Sequence, residues 1–122
     1  MKLVVIEDQP VIRALVAEIL RSDGHEVEEF SSGQDGLGYL GANGLPDAVL
    51  LDWLLPDLEG EELLAKLIAL PSVRCLIISG YPLDLQTLRQ TWPGRVGFLA
   101  KPFSPQMLRD ALHQLLSTTE PV

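Results

Sequence analysis

The sequence predicts a doubly wound α/β domain, a five-stranded parallel sheet in the order 2-1-3-4-5 with helices on both faces. Four apolar runs are short, rich in β-branched residues and free of polar alternation, as strands buried on both faces are. Amphipathic helical patterns fall between them, and strand alternates with helix five times. Right-handed crossovers then make the strands parallel and put helices above and below the sheet.

The first strand is Leu3-Val4-Val5-Ile6, and Val11, Ile12, Leu15, Val16 and Ile19 follow at helical spacing. A weaker strand from Glu26 to Phe30 mixes Val27 and Phe30 with three glutamates, which suits a sheet edge. The helix expected from Gln34 to Leu40 is poorly supported, because Gly36 and Gly38 each cost about 1 kcal/mol relative to alanine. Ala48-Val49-Leu50-Leu51 is the third strand, with Leu63, Leu64, Leu67 and Ile68 marking the next helix. Cys75-Leu76-Ile77-Ile78 precedes a short helix from Leu83 to about Gln90, opened by Pro82 and closed by Pro93-Gly94. Val96 to Ala100 is the last strand, and Leu108, Ala111, Leu112, Leu115 and Leu116 mark the last helix.

A chain of 122 residues, 47% apolar and 21% charged, suits one domain that buries roughly two-thirds of its unfolded surface without disulfides or structural metal. Residues 1–117 are read as that domain and 118–122 as a short polar tail with no effector domain after it. Seventeen acidic residues against nine basic ones give a formal charge of -8, the wrong sign for direct binding to nucleic acid. Apolar runs of four or five residues fall far short of the ~20 that span a bilayer, so no membrane segment is expected. The single cysteine, Cys75, lies inside a strand and reads as a packed thiol, consistent with a reducing, cytoplasmic setting. His25 and His113 lack ligand spacing and read as a turn residue and a helix-face residue.

Ligands of open parallel sheets bind where the strands end. Glu7 and Asp8 follow the first strand, Asp52 the third, Ser79 the fourth and Lys101 the fifth. Taken singly, Asp8 could cap a helix, Ser79 could sit in a turn and Lys101 could be a solvated surface residue. The 2-1-3-4-5 order sets strands 1, 3, 4 and 5 side by side, so these residues should converge around Asp52. Two carboxylates ~4 Å apart repel by about 4 kcal/mol at an effective dielectric near 20, so three favour a divalent cation or a raised pKa. A hard cation such as Mg2+ resolves the repulsion and leaves positions for phosphate oxygens. With the Lys101 ammonium opposite and the Ser79 hydroxyl nearby, Asp52 is the natural nucleophile toward a phosphoryl group.

The segments Val4-Val5-Ile6-Glu7-Asp8, Leu50-Leu51-Asp52-Trp53-Leu54-Leu55-Pro56-Asp57-Leu58-Glu59-Gly60, Ile77-Ile78-Ser79-Gly80 and Gly97-Phe98-Leu99-Ala100-Lys101-Pro102-Phe103 resemble the response-regulator receiver domains of two-component signalling, from Lys2 to about Leu116. The resemblance implies a flavodoxin-like receiver fold and phosphotransfer from a phosphohistidine to Asp52. It also implies Mg2+ bound directly by Asp8, Asp52 and the Leu54 carbonyl, with Glu7 acting through water. Ser79 would then hydrogen-bond the phosphoryl group and Lys101 pair with it. Phe98 matches the aromatic that changes rotamer when the serine moves, and Pro102 matches the residue that commonly follows a cis bond. The partners implied are a histidine kinase or histidine phosphotransfer protein, which would meet the helix beginning near Val11. A downstream protein would be met through the fourth helix, fifth strand and fifth helix, and a phosphorylation-dependent dimer is compatible. Glu7-Asp8 varies the usual aspartate pair, Ser79 replaces threonine and Leu55 stands where methionine is common. Leu54 and Tyr81 would crowd an attacking water, so slow hydrolysis of the aspartyl phosphate is expected.

Leu83, Leu85 and Leu88 either meet a partner or pack in the core, and both readings stand. Trp92 is expected to cover its helix end, and Trp53, adjacent to Asp52, is a candidate reporter of metal and phosphate or a plain surface aromatic. Four function classes compete. One is the phosphoaspartate switch, either free-standing or the receiver of a hybrid histidine kinase. It is not an enzyme beyond its own phosphorylation and dephosphorylation. The second is an aspartate-nucleophile phosphatase, which needs an acid two residues after the nucleophile, where Leu54 stands. The third is a nucleotide binder, for which Glu7-Asp8-Gln9-Pro10 is the wrong phosphate loop, and the fourth is a binding-only receiver, against which the complete residue set argues.

Overall fold

Parallel pairing sets the strand ends in a row. In the computed structural model, which describes residues 1–80, 83–92 and 94–117, the chain runs β1 (Lys2–Ile6), α1 (Pro10–Ser22), β2 (Glu26–Phe30), α2 (Gly33–Asn43), β3 (Ala48–Asp52), α3 (Gly60–Ile68), β4 (Arg74–Ser79), α4 (Leu85–Thr91), β5 (Val96–Ala100) and α5 (Pro105–Ser117). The sheet is five-stranded and parallel, in the order β2-β1-β3-β4-β5. The expected fold is borne out, with glutamate-rich β2 at one edge. The expectations placed on Tyr81, Pro82, Pro93 and 118–122 lie outside the described residues.

Strand periodicity divides the core in two. Leu3, Val5, Leu50, Leu76 and Ile78 point toward α1 and α5, where they meet Val16, Leu20, Leu108 and Leu112. Val4, Ile6, Val49, Leu51, Cys75 and Ile77 point the other way, toward Leu40, Leu63, Leu64 and Leu67. Burial pushes the Cys75 thiol up to about 12, so it stays protonated and packs as a small apolar group. Arg74, at the start of β4, ties that strand to the end of α5. It donates to the carbonyls of Leu115 and Leu116 at 2.9 and 2.8 Å, supplying the positive charge that the last turn of α5 itself lacks.

Three helices depart from the sequence pattern. In α1, the buried positions are Val16, Ala17, Ile19 and Leu20, with Ile12 packed against them. Val11 and Leu15, expected on the same face, are 80% and 48% exposed because the buried stripe is centred one flank away. The helix α2 forms despite its glycines and runs longer than expected, from Gly33 to Asn43. Ser32 caps it through the Asp35 N–H at 3.1 Å, and Gly36 lets it lie on β1, where a Cβ would come within 2.6 Å of Ile6 Cδ1. The short α4 starts at Leu85, later than expected, because Asp84 takes the Thr87 N–H at 3.0 Å and acts as its N-cap. Leu83, Leu88 and Trp92 pack against the core, so for Leu83 and Leu88 the core reading holds.

The two glycines of α2 should respond with opposite signs. Gly38 is exposed with open space around it, so Gly38→Ala should raise stability by about 0.5–1 kcal/mol. Gly36→Ala should lower it through the clash with buried Ile6, and urea denaturation of both variants measures the contrast.

Candidate functional site

Each site residue sits at or just past the end of a strand. Pairing continues one residue beyond β1, where the Glu7 N–H donates to the Phe30 carbonyl at 3.0 Å. It also continues beyond β5, where the Lys101 N–H donates to the Ser79 carbonyl at 2.9 Å. Asp52 ends β3 opposite Ile78, and Ser79 ends β4 opposite Ala100. The central strands are fully paired, which leaves these groups little freedom of placement.

The charges are crowded and incompletely balanced. Oxygens of Glu7, Asp8 and Asp52 lie within 4.8 Å of one another. Lys101 Nζ reaches Glu7 Oε2 at 3.3 Å and Asp52 Oδ2 at 3.6 Å, one ammonium among three acids. Glu7 and Asp52 are buried, and Asp8 is the most open of the three. Loss of solvation by burial raises the Glu7 pKa, and the neighbouring Asp52 charge raises it further. Burial likewise raises Asp52, with the Asp8 charge adding to it, although the Leu54 N–H on Asp52 Oδ1 at 3.3 Å and the Lys101 charge oppose the shift. The donor set is three carboxylates, hard oxygen ligands already gathered around one point. Such a set fits a Mg2+-sized cation.

Asp8, Gln9, Asp52, Leu54, Ser79, Gly80 and Lys101 line a cavity of about 290 Å3. The structure thus brings together the sequence-predicted Asp8, Asp52, Leu54, Ser79 and Lys101, with Glu7 joined through Lys101. Phe98 lies elsewhere, opposite Ile77 in β4 and packed in the cluster that includes Leu88 and Trp92 of the α4 region. The Lys101–Pro102 peptide bond is cis. His25 and His113 stand apart from the site, His25 at 3.4 Å from the Met1 amino group and His113 exposed on α5.

Some supporting groups were not evident from the sequence. Arg13 donates to the Glu7 carbonyl at 2.9 Å and the Gln9 N–H to Glu7 Oε1 at 3.2 Å, fixing the turn after β1. Gly60 packs under the Trp53 ring, where any Cβ would collide. Only the Gly at the start of α3 hinted at that contact.

The family model for the response regulator receiver domain matches residues 3–113. The virulence-factor transcription regulator BvgA of Bordetella pertussis is 32% identical over 99% of this chain, which spans 55% of that regulator's length. The sporulation initiation phosphotransferase F of Bacillus subtilis is 28% identical, over 94% of this chain and 93% of its own. Among solved structures, the receiver domain of the hybrid histidine kinase CckA superposes with a TM-score of 0.80 at 28% identity, covering 96% of this chain and all of that one. A CheY-like receiver from Methanospirillum hungatei gives the same TM-score at 25% identity, covering 94% and 92%. Among the described residues, no helix is long and apolar enough to cross a membrane.

A carboxyl whose pKa is raised on folding adds stability below its unfolded value and loses it as pH rises through the folded one. Metal-free protein should therefore weaken as pH climbs from the ordinary carboxylate range toward neutrality, on account of Glu7 and Asp52. Asp52→Asn should raise stability at pH 7 by about 1–2 kcal/mol, since it removes one buried, underpaired charge. Urea denaturation in chelator across that pH range measures the difference, and an Asp52→Asn variant no more stable than the parent at pH 7 contradicts it.

Proposed function

The chain belongs to the response-regulator receiver family of two-component signalling, and from that premise we propose that Asp52 accepts a phosphoryl group from a phosphohistidine in a Mg2+-dependent step that switches a protein-binding surface. The observation that carries the reading is the joint placement of Glu7, Asp8, Asp52, Ser79 and Lys101 at adjacent strand ends. Receiver domains bind Mg2+ at an acidic pocket, and Asp8, Asp52 and the Leu54 carbonyl would hold it here, with Glu7 acting through water. Bound there, the ion neutralises the acids and stabilises charge on the phosphoryl oxygens.

An Asp52 oxygen attacks phosphorus, a P–O bond forms, and the P–N bond breaks with its electron pair leaving on the imidazole, which is protonated by solvent. Lys101 Nζ, 3.6 Å from Asp52, is in reach to pair with the transferred group. The buried Ser79 hydroxyl donates a hydrogen bond to it. Movement of Ser79 toward the phosphoryl group frees the volume into which Phe98 turns, and Pro102 directs the chain after Lys101. Phe98 shares its cluster with Leu83, Leu88 and Trp92, which supports transmission to the face of α4, β5 and α5, where a downstream protein or a second phosphorylated copy docks.

The exposed Val11 and Leu15 form an apolar pair one turn apart at the start of α1, on the rim that holds Asp8. This patch supports docking of a histidine kinase or histidine phosphotransfer protein there. The side chain of Leu54 is 54% exposed and apolar, which supplies no general acid for a phosphatase and hinders water. The chain on this reading catalyses only its own phosphorylation and dephosphorylation. A role as a phosphorelay intermediate, including within a hybrid kinase, is favoured by the likeness to the CckA receiver.

Incubation with a small phosphodonor and Mg2+ should add the mass of one phosphoryl group, and the adduct should vanish in Asp52→Asn and with chelator. An adduct indifferent to Asp52 contradicts the reading. Leu15→Asp should leave that reaction unchanged while slowing transfer from a phosphohistidine protein by about tenfold, as loss of one apolar interface anchor does.

A further inference from the structure

The loop between β3 and α3 is held at two places. At its base, Leu54 and Glu59 pair in an antiparallel bridge. At its tip, the Asp57 carboxylate spans to another element and accepts the Gly33 N–H at 3.0 Å and the Gln34 N–H at 2.9 Å, the first two amides of α2. Beside it, Leu58 fills the space over Gly33, where a Cβ would lie 2.8 Å from Leu58 Cδ1. Although desolvation opposes it, the Gln34 and Gly33 N–H donors hold the Asp57 carboxyl below its ordinary value, so it is ionised at neutral pH.

The helix α2 does not need this carboxylate for its whole cap, since Ser32 already takes the Asp35 N–H. What Asp57 adds is a link between α2 and the loop that carries Leu54. We propose that Asp57 is a positioning residue for the cation: by clamping the loop tip to the first turn of α2, it fixes the backbone on which the Leu54 carbonyl is presented. The inference rests on the cation site proposed above. Without the clamp, segment 54–59 keeps its base bridge and the packing of Leu55 and Leu58 but loses both hydrogen bonds to α2, and ordering the Leu54 carbonyl on the ion must then be met from the binding free energy. Outer groups that orient a metal ligand act in this way.

The test is Mg2+ titration of the full chain, followed by the backbone amide signals of Asp8, Trp53 and Leu54. Three variants are compared with the parent: Asp57→Ala, Asp57→Asn, which keeps one acceptor oxygen, and Ser32→Ala, which weakens α2 by removing its own cap but leaves the clamp. Asp57→Ala should weaken Mg2+ binding by about tenfold, Asp57→Asn by less, and Ser32→Ala not at all. If Asp57→Ala does not fold, the contrast between Asp57→Asn and Ser32→Ala decides. Unchanged affinity in the Asp57 variants overturns the inference while leaving the cation site standing. Equal weakening by Ser32→Ala also overturns it, because the effect then comes from helix stability. A parent chain whose amides ignore Mg2+ overturns the site itself, and this inference with it.

Discussion

Three carboxylates gathered near one ammonium, which pairs with Glu7 and Asp52, leave net negative charge at the strand ends, and the chemistry of the site follows from that imbalance. Glu7 and Asp52 are too buried for water to dissipate their repulsion. Two outcomes relieve it: a raised proton affinity, the direction in which burial and the neighbouring acids push Glu7 and Asp52, or a cation. On the proposed reading, a doubly charged phosphoryl group on Asp52 would add to this charge, and the cation and Lys101 would be what accommodates it.

The fold produces this concentration of charge by parallel pairing alone. With β1, β3, β4 and β5 consecutive, Glu7, Asp52, Ser79 and Lys101 arrive at one edge of the sheet without any loop having to fold back over it. Two separate apolar layers hold the sheet, one under α1 and α5 and the other under α2, α3 and α4. Phe98 packs against the second of these layers, so on the proposed reading its rearrangement would act within that layer.

The strands and their convergence were legible because buried parallel strands are written as uninterrupted apolar runs, with the polar residues beginning where each run stops. Helix faces were less so. Apolar periodicity in α1 does not say which flank is buried, and Val11 and Leu15 are exposed although they repeat with the core residues. The α2 pattern is weakened by Gly36 and Gly38; Gly36 serves a close approach to Ile6 that exists only in three dimensions, whereas Gly38 meets nothing. Asp84 displaced the start of α4 because a side-chain cap outweighed the continuation of the apolar pattern. Of the site, the acids, the serine and the lysine were visible as strand-terminal residues. Arg13 and Asp57 were not, since they act by hydrogen bonds to backbone groups, Arg13 to the turn before its own helix and Asp57 to the start of distant α2, and leave no local signature.

The account stands on a cation bound among these acids, and crystals grown with Mn2+, a hard ion with an anomalous signal, test it most directly. It predicts one strong peak in the cavity, within ligand distance of oxygens of Asp8, Asp52 and the Leu54 carbonyl. A map with no peak there at saturating Mn2+, or with the ion bound elsewhere while Lys101 still bridges Glu7 and Asp52, would contradict it.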